Sequence, residues 1–273
     1  MFVFGGKPYE DTEHKSITNG KLDKTKMIEV VIESSGGLCG GTIIGDKFII
    51  TAAHCFVPEK FSAIPHPAKL QVHIEGICHS YEGKKCAPED EGKLIGVKTL
   101  YILQEYYNKK CTSGDLAILE LSEVIGDHGA TISESIELPI SGDFVVSGFG
   151  EDPENDVDTG HTLKTVTLTA QKCDENHGNY DSVCTVEIDK DGDSGGALVD
   201  KNDVIVGIVS SGRDCAVLYE SVENNKSENS PLKQWEGGIF TSTSLHYGFI
   251  CEIVGAIKGC PKTFNKEPYL TIS

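Results

Sequence analysis

Residues 192–196 read Gly-Asp-Ser-Gly-Gly, and far upstream residues 51–55 read Thr-Ala-Ala-His-Cys. A serine hydroxyl is a weak nucleophile until a histidine takes its proton and a buried carboxylate orients that histidine. Ser194 sits in a glycine-rich turn, where successive backbone N–H groups can converge on one point. His54 follows Ile49-Ile50-Thr51-Ala52-Ala53, a run of β-branched and small residues that predicts a strand end. Between the two, Ser113-Gly114-Asp115 opens into Leu116-Ala117-Ile118-Leu119-Glu120-Leu121, which places a carboxylate at the mouth of an alternating apolar strand. Either motif alone is a weak signal, because serine is common in glycine-rich turns. Together, in the order His, Asp, Ser, they are specific.

On these residues the chain resembles the chymotrypsin-like (trypsin-like) serine endopeptidases, over a stretch from Ile17 to the end. The resemblance implies an all-β fold, with two six-stranded antiparallel β-barrels, a C-terminal helix and the active site between the barrels. It assigns Ser194 as nucleophile, His54 as general base and acid, and Asp115 as the group that orients His54. The N–H groups of Gly192 and Ser194 become the oxyanion hole. It pairs a freed amine at Ile17 with Asp193, so residues 1–16 become a pro-segment or tail and 17–273 the peptidase. One departure is that Ser16 separates Lys15 from Ile17, so a cut after Lys15 would leave Ser16 first.

The pocket residues also depart from the pattern. Ile188 stands at the expected pocket base, with Asp189 beside it and Lys190 where a cysteine is usual. An apolar base favours bulky apolar residues before the scissile bond, whereas an inward shift of Asp189 would favour Lys or Arg. Ser210 and Gly212 offer backbone groups to an extended substrate strand, and Gly238 forms the opposite pocket wall. The resemblance further implies the bridges Cys39–Cys55 and Cys173–Cys184. The six other cysteines allow fifteen pairings. Cys78 with Cys86 is locally feasible, Cys111 with Cys251 sterically reasonable, and Cys215 with Cys260 is left by elimination.

Composition agrees with this reading. Thirty glycines, ten prolines and only two methionines in 273 residues suit a turn-rich β chain. Apolar runs at 27–33, 42–51, 69–74, 92–100, 116–121, 144–147, 162–170, 197–199 and 204–209 are short and separated by turn signals, as in barrels. Helical spacing is seen at 247–258, with Gly259 behind it, and over a shorter stretch at 56–61. The acidic stretches 151–159 and 220–236 read as loops, the second carrying a glycosylation acceptor at Asn225-Lys226-Ser227. Ten cysteines point to an oxidising compartment, and so to secretion. Residues 1–6 are too short for a signal-peptide apolar core; either a signal has been removed or the start is truncated.

A net charge of −18 disfavours nucleic acid and anionic membranes as partners. The partners expected are protein or peptide substrates and protease inhibitors, and the chain is expected to be a monomer. No cofactor or metal is expected. Asp189-Lys190-Asp191-Gly192-Asp193 misplaces the glycine of a calcium loop, and Cys78 interrupts a loop flanked by Glu75 and Glu82. A lipase or esterase is disfavoured by the residue order and the lack of a βαβ pattern. The competing class is a protease-like binding or regulatory protein without turnover.

Overall fold

The computed structural model describes residues 29–34, 37–57, 64–80, 85–109, 113–126, 130–133, 138, 140–149, 161–173, 179–185, 194–210, 238–255 and 257–273. Six of its strands close the first barrel: β1 (Glu29–Ser34), β2 (Gly37–Ile44), β3 (Phe48–Thr51), β4 (Gln71–Ile74), β6 (Lys93–Leu103) and β7 (Ala117–Leu121). Around the barrel the order is β6-β4-β1-β2-β3-β7, and β7 pairs back onto β6. The second barrel is built in the same way from β9 (Gly142–Gly148), β11 (Lys164–Gln171), β12 (Ser182–Thr185), β13 (Ala197–Val199), β14 (Val204–Val209) and β15 (Ile239–Ser242). Its order is β13-β9-β11-β12-β15-β14, with β14 returning to β13. All pairings within both barrels are antiparallel, so the expected pair of six-stranded barrels is present.

Four short strands supplement the barrels. β5 (Cys78–His79) pairs with β10 (His161–Thr162) and so ties the first half of the chain to the second. β8 (Thr131–Ile132) lies parallel on β14. β16 (Tyr269–Ile272) comes after the C-terminal helix, yet it pairs with β6 of the first barrel. Nothing in the local sequence announced that return.

Each barrel has its own core. Val30, Ile32, Ile43, Ile49, Val72, Ile95, Leu100 and Leu119 fill the first; Phe144, Val146, Leu168, Leu198 and Phe240 fill the second. A third cluster joins Ile50, Leu116 and Ile118 of the first barrel to Ala197 and Ile208 of the second and to Phe249 and Ile250 of the helix. Each buried Val, Leu, Ile or Phe among these contributes about 1.5–3 kcal/mol relative to exposure. The seam between the barrels is therefore apolar below the site and holds the two halves in register.

Several local expectations are revised. Residues 42–51 read as one run, but they form the end of β2, a turn and β3. Gly45 takes the left-handed conformation (φ 71°) that the tight reversal needs. The C-terminal helix α2 covers Tyr247–Val254, shorter than the sequence pattern, because Gly255 turns with φ 84°. The chain then folds back, and Cys260 bridges Cys251 at a Cα–Cα distance of 5.7 Å. That bridge overturns the pairings of Cys251 with Cys111 and of Cys260 with Cys215. Cys78 is joined to Cys86. Of the expected helical stretch at 56–61, the described residues 56 and 57 are not helical and the rest lie outside the described residues; a single 3-10 turn, Ala53–Cys55, precedes them. A five-residue helix α1 (Gln104–Asn108), absent from the sequence reading, follows β6. The loops at 151–159 and 220–236, Asn225, Cys111 and Cys215 lie outside the described residues. No helix among the described residues is long and apolar enough to cross a membrane.

Candidate active site

His54 is held at the end of β3 by covalent and polar constraints. The chain leaves β3 at Thr51 and turns through Ala53–Cys55, where Cys55 is bridged to Cys39 on β2. The backbone N–H of His54 donates to Asp115 Oδ1 at 2.8 Å. The imidazole Nδ1 lies 2.7 Å from Asp115 Oδ2. Ser210 Oγ donates to the same Oδ2 at 2.5 Å. Asp115 is buried and accepts these three donors, so its charge is compensated although water is excluded. Burial works against the carboxylate, but the His54 charge and the hydrogen bonds from His54 and Ser210 outweigh it and lower its pKa. Burial likewise opposes the imidazolium, yet the Asp115 charge and hydrogen bond prevail and raise the His54 pKa. With Nδ1 facing a carboxylate, the neutral ring carries its proton there and Nε2 is the acceptor.

The loop that presents Asp115 is fixed on both flanks. Ser113 Oγ donates to Glu105 Oε1 of α1 at 2.6 Å, and Gly114 N donates to Asp181 Oδ2 at 2.7 Å. Gly114 has φ 71°, and a Cβ added there would come within 3.0 Å of Glu105 Cβ and 3.2 Å of the Tyr106 nitrogen.

Ser194 occupies the turn before β13, on the second barrel. Its carbonyl accepts from Gly40 N of β2 at 2.8 Å and lies 4.0 Å from the Cys55 sulfur. The serine turn thus abuts the disulfide beside His54. Gly195 has φ 91°, and a Cβ there would overlap Thr51 Oγ1 and the Gly40 carbonyl. The glycine after the serine is required by that approach of the two barrels. Gly195 N donates to the Val209 carbonyl at 3.0 Å, and Val209 N donates to Gly196 O at 2.8 Å. The serine turn is therefore latched to the segment that carries Ser210. Gly238 exchanges two hydrogen bonds with Thr185, through its carbonyl to Thr185 N and its N–H to Thr185 Oγ1, both at 3.0 Å. Cys173 is bridged to Cys184 on the adjoining strand. Ile17, Ile188, Asp189, Gly192, Asp193 and Gly212 lie outside the described residues.

The order and geometry of these elements, on two closed barrels, set the frame for comparison with known proteins. Residues 17–224 match the family model described as Trypsin. This chain belongs to the trypsin family. Among the members it is similar to the trypsin-like protease try-5 of Caenorhabditis elegans, at 30% identity over 72% of this chain and 75% of the relative. It is also similar to hypodermin-B of Hypoderma lineatum, at 32% identity over 76% and 80% of the two chains. In fold it is similar to the crystal structure of a scabies mite inactivated protease paralogue, S-I1, with TM-score 0.62 at 23% identity, over 86% of this chain and 98% of that one. Membership of the trypsin family makes the chain a serine endopeptidase, a hydrolase whose substrates are proteins.

One cluster beside the site was not foreseen from sequence. His246, at the head of α2, is buried, and both ring nitrogens face carboxylates. Nδ1 is 2.8 Å from Glu267 Oε1 and Nε2 is 3.0 Å from Asp181 Oδ2. Glu267 also accepts from Phe249 N at 3.0 Å. Burial opposes a charge on His246, but the hydrogen bonds to Asp181 and Glu267, and their charges, raise its pKa to about 9. The same Asp181 oxygen that faces His246 receives Gly114 N, so the cluster reaches the residue next to Asp115. The only sequence signal was a histidine at the start of a helical pattern; Asp181 and Glu267 come from distant segments.

Proposed function

We propose that the chain cleaves peptide bonds by a Ser-His-Asp mechanism with Ser194, His54 and Asp115 as the three members. The supporting observation is the His54–Asp115 pair, saturated by Ser210 and set against the turn of Ser194. Ser194 Oγ attacks the scissile carbonyl carbon, and its proton passes to His54 Nε2. His54 then delivers that proton to the leaving amine, giving the acyl-enzyme and the first product. Water, deprotonated by His54, attacks the ester, and Ser194 recovers its proton. Asp115 stays ionised and stabilises the imidazolium. The N–H groups of Gly192 and Ser194 receive the oxyanion, whose loss of one donor typically costs about a hundredfold or more in rate.

We assign residues 1–16 to a pro-segment and 17–273 to the peptidase, secreted and monomeric. Cleavage frees the Ile17 amine, which pairs with Asp193 and orders the oxyanion donors. The family match beginning at residue 17 supports this start, and the four disulfides among the described residues support an oxidising compartment. Ser210, Gly212 and Gly238 line the substrate strand, and Ile188 gives a preference for bulky apolar residues unless Asp189 turns inward.

Fluorophosphonate labelling before and after limited proteolysis tests the whole reading. Labelling of Ser194 that appears only after cleavage supports a zymogen. Labelling of the uncut chain leaves the nucleophile and removes the zymogen. An unreactive chain in both states leaves a protease-like binding protein.

A further inference from the structure

Outside the cleft, Glu33, His73 and His79 converge on one point, although each comes from a different strand. Glu33 lies on β1, His73 on the neighbouring β4 and His79 on β5. Register explains the first two. Val31 sits opposite His73 and Glu33 opposite Gln71, so Val31, Glu33, Gln71 and His73 share one face. Ile32 and Val72, on the other face, point into the barrel core. Over the outer face β5 folds down and delivers His79. It is seated by a satellite apolar cluster of Val31, Ile77, Phe149 and Leu163.

The donor geometry is that of a coordination site. Both imidazoles present Nε2 to the same carboxylate oxygen, Glu33 Oε1, at 3.0 Å from His73 and 3.3 Å from His79. All three donor atoms lie within 4.8 Å of one another. Tetrahedral zinc with bonds of about 2.0–2.1 Å requires donor–donor edges of about 3.3 Å. Two imidazole nitrogens and one carboxylate oxygen form a set suited to zinc rather than calcium, which takes oxygen donors. The chemistry therefore differs from that of a calcium loop flanked by Glu75 and Glu82. His79 is buried while Glu33 is 37% exposed, so the cluster has an apolar floor and an aqueous mouth. Water, reaching the ion from the side of exposed Glu33, would supply the fourth ligand.

We propose that Glu33, His73 and His79 form a binding site for a divalent cation of the zinc class. The bound cation fastens β5 to the first barrel. Because β5 pairs with β10, it also steadies a link between the two halves of the chain.

The test uses the full chain, without a histidine tag, against Zn(II) and Co(II). Equilibrium dialysis at micromolar free zinc should find one equivalent that is weakened at least about tenfold by Glu33→Gln and by His73→Gln. A second equivalent held at His54 would be present in all these proteins and cancels in the comparison. Zinc should raise the Tm of the unsubstituted chain by clearly more than that of the Glu33→Gln/His73→Gln double variant. Co(II) bound to the unsubstituted chain should show the visible absorption of a four-coordinate ion, a readout independent of how the variants fold. The proposal is overturned if the unsubstituted chain binds no zinc at this site, if the double variant binds it equally, or if bound Co(II) is octahedral.

Discussion

Two histidines stand on opposite sides of the loop at residues 113–116, and their settings differ in one respect. His54 has one nitrogen on a carboxylate, and its side chain is 24% exposed. His246 is buried and has a carboxylate at each nitrogen. A ring with one committed nitrogen can accept a proton at the other and give it back. A ring clamped at both is a fixed cation with no free lone pair. The same residue type thus supplies chemistry on one side of Asp115 and structure on the other.

The comparison is sharpened most by substitutions in the reactive half. Ser194→Ala should abolish acyl-enzyme formation, and His54→Ala and Asp115→Asn should each lower kcat by about four orders of magnitude. The fold should persist in all three, as checked by circular dichroism and thermal unfolding. In the clamped half, His246→Ala removes a cation between Asp181 and Glu267 and should destabilise the chain by about 3–5 kcal/mol in urea unfolding. Glu267→Gln, the gentler change, should keep kcat/KM within a fewfold. A loss as large as that of Asp115→Asn would show that the distinction between the two histidines is wrong.

pH should move the two halves in opposite senses. His54 must be neutral to act as base, and its pKa is raised, so kcat/KM should climb through an apparent pKa above 6.5. His246 has a folded-state pKa of about 9, above its unfolded value of 6.5. Its contribution is complete below about pH 6.5 and is lost as pH rises through about 9, at most about 3 kcal/mol. Urea unfolding across that window should show the decline, and His246→Gln should flatten it. Within the reactive half, the smallest effect is expected from Ser210→Ala. That variant removes one of the three donors to Asp115 and should lower kcat/KM about tenfold, as for a hydrogen bond to a charged group.

The parts legible in the sequence are those whose information is local. Strands β13 and β14 were bounded by their own turn residues, and the motifs around His54, Asp115 and Ser194 each lie within a few consecutive residues. What escaped is encoded between distant segments. Glu267 and Asp181 have no mark that joins them to His246, and Glu33, His73 and His79 are related only through the β1–β4 register and the fold of β5. The Cys251–Cys260 bridge was missed because the helical pattern runs on past Gly255. The reversal at that glycine depends on its backbone conformation, which periodicity does not report.

The return of β16 to the first barrel has a kinetic meaning. Leu270 pairs with Ile102 across most of the chain, and Gln104 N donates to Pro268 O beside it. Contacts between such remote segments carry a large loop-closure cost and tend to form late in folding. Glu267, in the same segment, completes the clamp on His246 that steadies the Asp115 loop through Asp181. The cleft should therefore mature last. Refolding followed by tryptophan-free probes of β6 and by active-site labelling should show compaction of both barrels before competence, with the chain inert towards its own unfolded neighbours during the interval.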